Sequence, residues 1–284
     1  MFLSAGVCLI YTVLCISIGC LLLPAIGVAR QVWRNYSALA ITATALMLGQ
    51  CLFAIIWLGL GLMGYFFLIP ITVLLVLFLS IGIIFVRRDI VDLFNRIFAQ
   101  ITDHFVELPS SIKFVEALVV LIVVLLGVFN AILPVRFGAG DGIFFYMVLP
   151  KLMAASGRLL PVIGYEYTHS ISGLFGEMHH SVLLALGDEQ AALLFVWVTT
   201  LAMLALLVSL CGSLGIGNIG KVVAMVMMLS STSVSFYMID GKVDIFAAAL
   251  GIAALYWAIE IKRDSVNWSS LYLVAIFTGF AVVA

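Results

Sequence analysis

Long apolar stretches alternate with short polar ones along almost the whole chain. Apolar runs of spanning length cover about 3–29, 38–62, 65–86, 114–135, 190–211, 221–239, 244–261 and 268–284. A helix needs roughly 20 apolar residues to cross about 30 Å of hydrocarbon. The pattern therefore predicts an all-α polytopic membrane protein with about eight transmembrane helices. Little more than Gly64 separates the second run from the third. The first run lacks a basic leading segment and is too long for a signal peptide core, so it reads as a retained span.

Two intervals break this rhythm. In 87–113, Ile90, Leu93, Phe94, Ile97 and Ile101 recur at helical spacing among charges. That is an amphipathic interfacial helix, with His104 as a solvated or interfacial histidine. It separates an N-terminal three-span unit (1–86) from a larger core (114–284). The second interval, 136–189, is long and mixed. Its segments 142–155 and 173–186 are apolar enough to lie on a membrane, yet too short and interrupted to cross it. Two juxtamembrane helices are expected there, joined by a turn-rich aromatic stretch.

Composition sharpens the class. Of 284 residues 65% are hydrophobic and 10% are charged, where soluble domains carry about 25% charge. Mean hydropathy is +1.31. A soluble globule, a nucleic-acid binder and a disordered chain are excluded. The five cysteines all fall inside apolar runs without a paired spacing, so they read as packing residues rather than disulfides or zinc ligands.

Charge placement orients the spans. Arg30, Arg34, Arg87, Arg88, Arg96, Lys113, Lys221, Lys262 and Arg263 are nine of the thirteen basic residues and fall on one side; Arg136, Lys151, Arg158 and Lys242 fall on the other. By the positive-inside rule the nine are cytoplasmic, and the N-terminus and 136–189 face outward.

The outward loops then hold the candidate chemistry. The long one carries Asp141, Glu166, Glu177, Asp188 and Glu189, with His169, His179 and His180 and the cations Lys151 and Arg158. The next carries Asp240, Lys242 and Asp244. A carboxylate at the start of a helix, such as Asp244, is favoured by the helix dipole alone. Acids from two loops can also converge on a divalent cation or on one acceptor hydroxyl.

The stretch "DGIFFYMVLPKLMAASGRLLP" resembles the first outer loop of bacterial GT-C glycosyltransferases, the superfamily of protein O-mannosyltransferases and lipopolysaccharide sugar transferases. The matching positions are Asp141, Tyr146, Pro150, Lys151, Gly157 and Arg158. "GEMHHSVLLALGDEQAALLFVW" is similar to that family's second juxtamembrane helix. "KVDIFAAALGIAALYWAIE" is similar to its second outer acid and following span. Met147 stands where the family often has His, leaving His169, His179 and His180 as the available replacements. Family chains are typically longer, which implies that this chain is truncated.

The resemblance implies transfer of a sugar from a polyprenyl-phosphate donor to a glycan, lipid or protein acceptor at the outer (periplasmic) face of the inner, plasma membrane. It implies Asp141 and Asp244 as catalytic acids, and as ligands of a divalent cation (Mg or Mn) if one takes part. Tyr146, Lys151, Arg158, Lys242, Glu177 and His180 would bind substrate. A membrane transporter or flippase is the alternative; it would place charges mid-span, where Glu116 and Asn130 are the polar residues of span four. A non-catalytic scaffold is a third reading. "GIGNIG" at 215–220 matches a dinucleotide motif in letters only, since no strand precedes it. Glu177 and His180 form one E-x-x-H pair, whereas a diiron bundle needs two plus further carboxylates. The sequons at Asn35 and Asn267 fall on the cytoplasmic side and are discounted.

Overall fold

The computed structural model describes residues 2–107, 109–132, 147–159, 174–240, 242–263 and 268–284. Among them the chain is helical, without a strand. The helices are α1 (Phe2–Ala25), α2 (Ala38–Met63), α3 (Leu68–Glu107), α4 (Ser110–Ile132), α5 (Val148–Ser156), α6 (Phe175–Leu186), α7 (Glu189–Ser213), α8 (Asn218–Ser230), α9 (Thr232–Asp240), α10 (Asp244–Arg263) and α11 (Trp268–Val283). A 3-10 turn, Arg30–Asn35, joins α1 to α2. Six helices are long and apolar enough to cross a bilayer: α1, α2, α3, α4, α7 and α10. This is the make-up of a multi-pass membrane protein.

The two other expected spans take different forms. The run 221–239 is split into α8 and α9 at Ser231, whose extended backbone (φ -64, ψ 121) ends α8. The run 268–284 is the 16-residue α11. Both still traverse the bundle. Ser213 hydrogen-bonds Glu260 near the C-terminal ends of α7 and α10. Phe195 meets Phe246 near their N-terminal ends, ring centroids 6.1 Å apart. The two helices are thus parallel, and α8–α9 must return the chain between them. Ser269 lies at Gly27 after α1, whereas Phe280 meets Phe175 of α6, so α11 also runs end to end.

α3 differs from the expected span plus separate interfacial helix. It is one helix of 40 residues. No glycine or proline interrupts 83–107, so helical hydrogen bonding continues past Arg87. Three contacts fasten the extension under the first hairpin. Arg30 pairs with Asp89 at 3.1 Å. Arg96 donates to the Trp33 and Tyr36 carbonyls. Gln100 Oε1 accepts from the Ala38 amide at 3.2 Å, satisfying a free donor at the start of α2.

α2 and α7 form the centre: 72% and 67% of their most apolar windows are buried, against 17% for α3 and α4. The last two present their apolar faces outward, as lipid-facing helices do. α1 and α2 cross without side chains between them. A Cβ built on Gly19 would stand 1.8 Å from the Ala45 carbonyl oxygen, and one on Gly49 would stand 2.0 Å from that of Cys15. Within a bilayer the hydrophobic effect does not hold helices together, so such small-residue contacts supply the packing. Polar links add to it: Gln50 Nε2 donates to Thr199 Oγ1 at 2.9 Å and Trp257 Nε1 to Thr44 Oγ1 at 3.0 Å.

The bundle has two unlike ends. Arg30, Arg34, Arg87, Arg88, Arg96 and Lys221 gather at one, the basic end. α5, α6 and the N-termini of α1, α7 and α10 lie at the other, the capped end.

Candidate functional site

The capped end is built around α6. This helix is no surface helix: Phe175 to Leu183 are all buried. Gly176 makes the insertion possible, because a Cβ there would lie 2.4 Å from Val243 Cγ1 and 3.0 Å from Phe246. The start of α6 thereby rests directly on the first turn of α10. Its far end is held by Asp188, which caps α7 by accepting from the Ala191 amide at 3.0 Å and accepts from Ser4 Oγ at 2.6 Å.

α5 packs on α6 and is sewn to the α2–α3 turn. The Phe66 amide donates to the Gly157 carbonyl at 3.0 Å, and the Leu159 amide to the Gly61 carbonyl at 2.9 Å. Gly64 and Gly157 end their helices at φ +74 and +71, a left-handed conformation that glycine adopts without steric cost.

Beneath this cap lies a buried polar chain. Trp57 Nε1 donates to Tyr11 Oη at 2.8 Å, and Tyr11 Oη lies 2.7 Å from His179 Nδ1. With the tyrosine oxygen already accepting, its O–H is free to donate to Nδ1, which leaves the proton of neutral His179 on Nε2. Burial, reinforced by neighbouring His180, pushes His179 down to about 3. The ring packs against Phe175, Phe195 and Phe246, stacked on the last at 5.6 Å. It is a structural imidazole locking α6 to α1 and α2.

Glu177 is the unusual group. It is 7% exposed, and its Oε2 has no hydrogen-bond partner among the described residues. Burial pushes its carboxyl up to about 8, opposed by a backbone hydrogen bond and reinforced by the charge of Asp244. The α6 acid and the α10 acid therefore sit within electrostatic reach, one buried and protonated at neutral pH, the other exposed at the N-terminus of α10. A protonated carboxyl beside a second carboxyl pairs a hydrogen-bond donor with an acceptor.

The expected site residues divide accordingly. Asp244, Glu177 and Lys242 come together around the start of α10, where Lys242 Nζ lies 4.6 Å from the centre of the Tyr237 ring. His180 is fully buried, its ring edge-on to Phe246 at 6.0 Å. Lys151 on α5 is exposed and paired with Glu189 at 2.5 Å. Arg158 is exposed and lies along the α2–α3 turn, its Nε 3.0 Å from where a Gly64 Cβ would be. Asp141, Tyr146, Glu166 and His169 lie outside the described residues, as does the 142–146 part of the first expected juxtamembrane helix. Among the described residues no three His, Cys, Asp or Glu side chains gather as a metal would require. Tyr11 and Trp57 were not legible as site residues: each sits singly in an apolar span, where an aromatic reads as packing. The chain matches no family model, no curated protein and no solved structure.

Proposed function

We propose that the protein is a membrane glycosyltransferase that moves a sugar from a polyprenyl-phosphate donor to an acceptor at the capped end. The observation that carries this reading is the juxtaposition of Asp244 with the buried, protonated Glu177 beneath α5, with Lys151, Arg158 and Lys242 around the cap. The basic end is cytoplasmic by the positive-inside rule. The chain then crosses the plasma membrane eight times, through α1, α2, α3, α4, α7, α8–α9, α10 and α11, and the capped end faces outward.

The chemistry suits a lipid donor whose anomeric carbon lies at headgroup depth. Asp244, together with Asp141, takes the proton of the acceptor hydroxyl as its oxygen bonds the anomeric carbon. The bond from that carbon to the phosphate oxygen breaks, and the electron pair leaves with the polyprenyl phosphate. Lys242, Arg158 and Lys151 stabilise that anion, Lys151 exchanging Glu189 for phosphate. Protonated Glu177 donates a hydrogen bond to the bound sugar phosphate. Asp141 and Asp244 are the proposed ligands of a divalent cation; each step of the transfer uses the protein's own groups.

The test is sugar transfer by the purified full-length protein from radiolabelled polyprenyl-phosphate sugars to lipid, glycan and peptide acceptors. Asp244→Asn and Asp141→Asn are expected to lose transfer while remaining folded, because an amide keeps the shape but takes no proton. Asp188→Asn is expected to retain it, since an asparagine still caps α7. Full activity in Asp244→Asn would overturn the reading.

A further inference from the structure

α3 carries an apolar face that packing inside the bundle does not explain. From Leu68 to Val86 the helix rises about 28 Å, close to the ~30 Å of hydrocarbon, so Arg87 and Arg88 arrive at headgroup depth. The rest of α3 stays near that level, because it runs across the end of the bundle. Asp89 meets Arg30 just after α1, Arg96 meets the Trp33 and Tyr36 carbonyls, and Gln100 meets the amide that opens α2. Farther on, Gln100 and Asp103 line a cavity of about 660 Å³ at the basic end, with Glu116 of α4, Ser213 of α7 and Asn218 of α8 also in its wall. The extension thus passes from α1 toward the α7–α8 turn.

This extension has two apolar faces. Ile90, Leu93 and Ile97 pack on the core. Val91, Phe94 and Phe98 lie about a quarter turn farther round and are 53%, 48% and 68% exposed. They continue the line of Ile83 and Ile84, which are exposed on the lipid-facing part of the same helix. A contiguous exposed apolar stripe marks an interaction site, and a helix lying along a bilayer shows one. The charges are sorted to match. Arg87 stands one turn before Val91 on the stripe, with Arg88 beside it; both are exposed, and neither has a partner among the described residues. Asp89 and Asp92 fall on the far side of the helix, and Asp89 is taken up by Arg30.

We propose that this face of α3 binds anionic phospholipid, with the headgroup phosphate against Arg87 and Arg88 and the acyl chains against Val91, Phe94 and Phe98. Arginine suits the role: its guanidinium offers a phosphate two parallel N–H donors, while its stem lies along apolar surface. The face and the proposed transferase site lie at opposite ends of the bundle, so either assignment can fail without the other.

The test uses the full chain in two arms. In vesicles of phosphatidylglycerol and phosphatidylcholine, nitroxide labels on Val91→Cys and Ala99→Cys compare the stripe with the exposed acid-bearing side; the five native cysteines are buried. Electron paramagnetic resonance reads collisions with oxygen and with a water-soluble nickel chelate. The Val91 label is expected to meet oxygen and exclude nickel, and the Ala99 label to meet nickel. A Val91 label open to nickel overturns the proposal. So does one shielded from both reagents, which places a protein partner on the stripe. In the second arm, native mass spectrometry counts phosphatidylglycerol retained against phosphatidylcholine from mixed micelles. Wild type is expected to favour phosphatidylglycerol by at least about fivefold, and the double variant Arg87→Gln/Arg88→Gln to bring the ratio to about one. The single variants Arg87→Gln and Arg88→Gln, each expected to lower the ratio, decide the matter if the double variant does not fold. Equal retention of the two lipids by wild type overturns the proposal, as does an unchanged ratio in the folded variants.

Discussion

Replacing Glu177 by glutamine should reshape the dependence of stability on pH. A carboxyl whose ordinary value is 4.5 is held at about 8 in the folded protein. Between those values the folded chain keeps a proton that the unfolded chain has lost. Folding is therefore unpenalised below about 4.5, loses stability as pH rises, and bears the full penalty above about 8. Each pH unit in that window is worth about 1.4 kcal/mol, so the penalty is ~3 kcal/mol at pH 7 and approaches ~5 kcal/mol above pH 8. That is a large share of the roughly 5–15 kcal/mol that holds a typical domain together. Glutamine keeps the size and the donor of the protonated acid but cannot ionise.

The assay is reversible unfolding in mixed micelles from pH 5 to 9. Wild type and Glu177→Gln should be close at pH 5 and diverge steadily, with the variant more stable at pH 8. The contribution of His179 runs the other way, its penalty growing as pH falls from 6.5 toward about 3. It is common to both proteins and cancels in the difference. Asp244→Asn should lower the value of Glu177, so that the divergence starts at the same pH but levels off sooner and at a smaller size, because the Asp244 charge is one of its causes. Parallel pH profiles for wild type and Glu177→Gln would refute the assignment of a buried, protonated carboxyl at this position.

Four further outcomes rest on the packing and the site. Gly49→Ala places a Cβ 2.0 Å from the Cys15 carbonyl, so α1 and α2 must separate; a loss of about 1–3 kcal/mol in micelle unfolding is expected, and an unchanged midpoint would count against the close crossing. Tyr11→Phe strands Trp57 Nε1 and His179 Nδ1 in the interior and should cost about 1–3 kcal/mol, while Tyr65→Phe on the exposed turn should cost nothing measurable. Lys151→Ala breaks only an exposed ion pair, so stability should move by less than ~1 kcal/mol; the KM for donor should rise, and an unchanged KM would remove Lys151 from phosphate binding. Single-cysteine labelling at Arg96 and at Ser156 should proceed from opposite membrane faces, and labelling of both from one face would overturn the orientation.

The helices were legible because burial in lipid demands long apolar runs, and α1, α2, α7 and α10 fall close to the runs that predict them. α3 was misread at Arg87, where hydropathy drops but nothing ends a helix. The depth of α6 was hidden for a different reason. Glu177, His179 and His180 read as groups of a helix lying on the membrane surface, yet Gly176 lets α6 sink against α10, and Tyr11 supplies a hydrogen bond from 168 residues away. A pairing at that range leaves no local signal. Glu116 stood out, being an acid inside an apolar run.

The most direct measurement is photo-crosslinking of a polyprenyl-phosphate sugar carrying a diazirine beside the phosphate, applied to the full-length protein in membranes. The account predicts adducts on α5, on α6 and around the start of α10, from Lys242 to about Leu250, and their suppression by unlabelled polyprenyl phosphate but not by the free polyprenol. Adducts confined to the basic-end cavity, or labelling that polyprenol suppresses equally well, would contradict it.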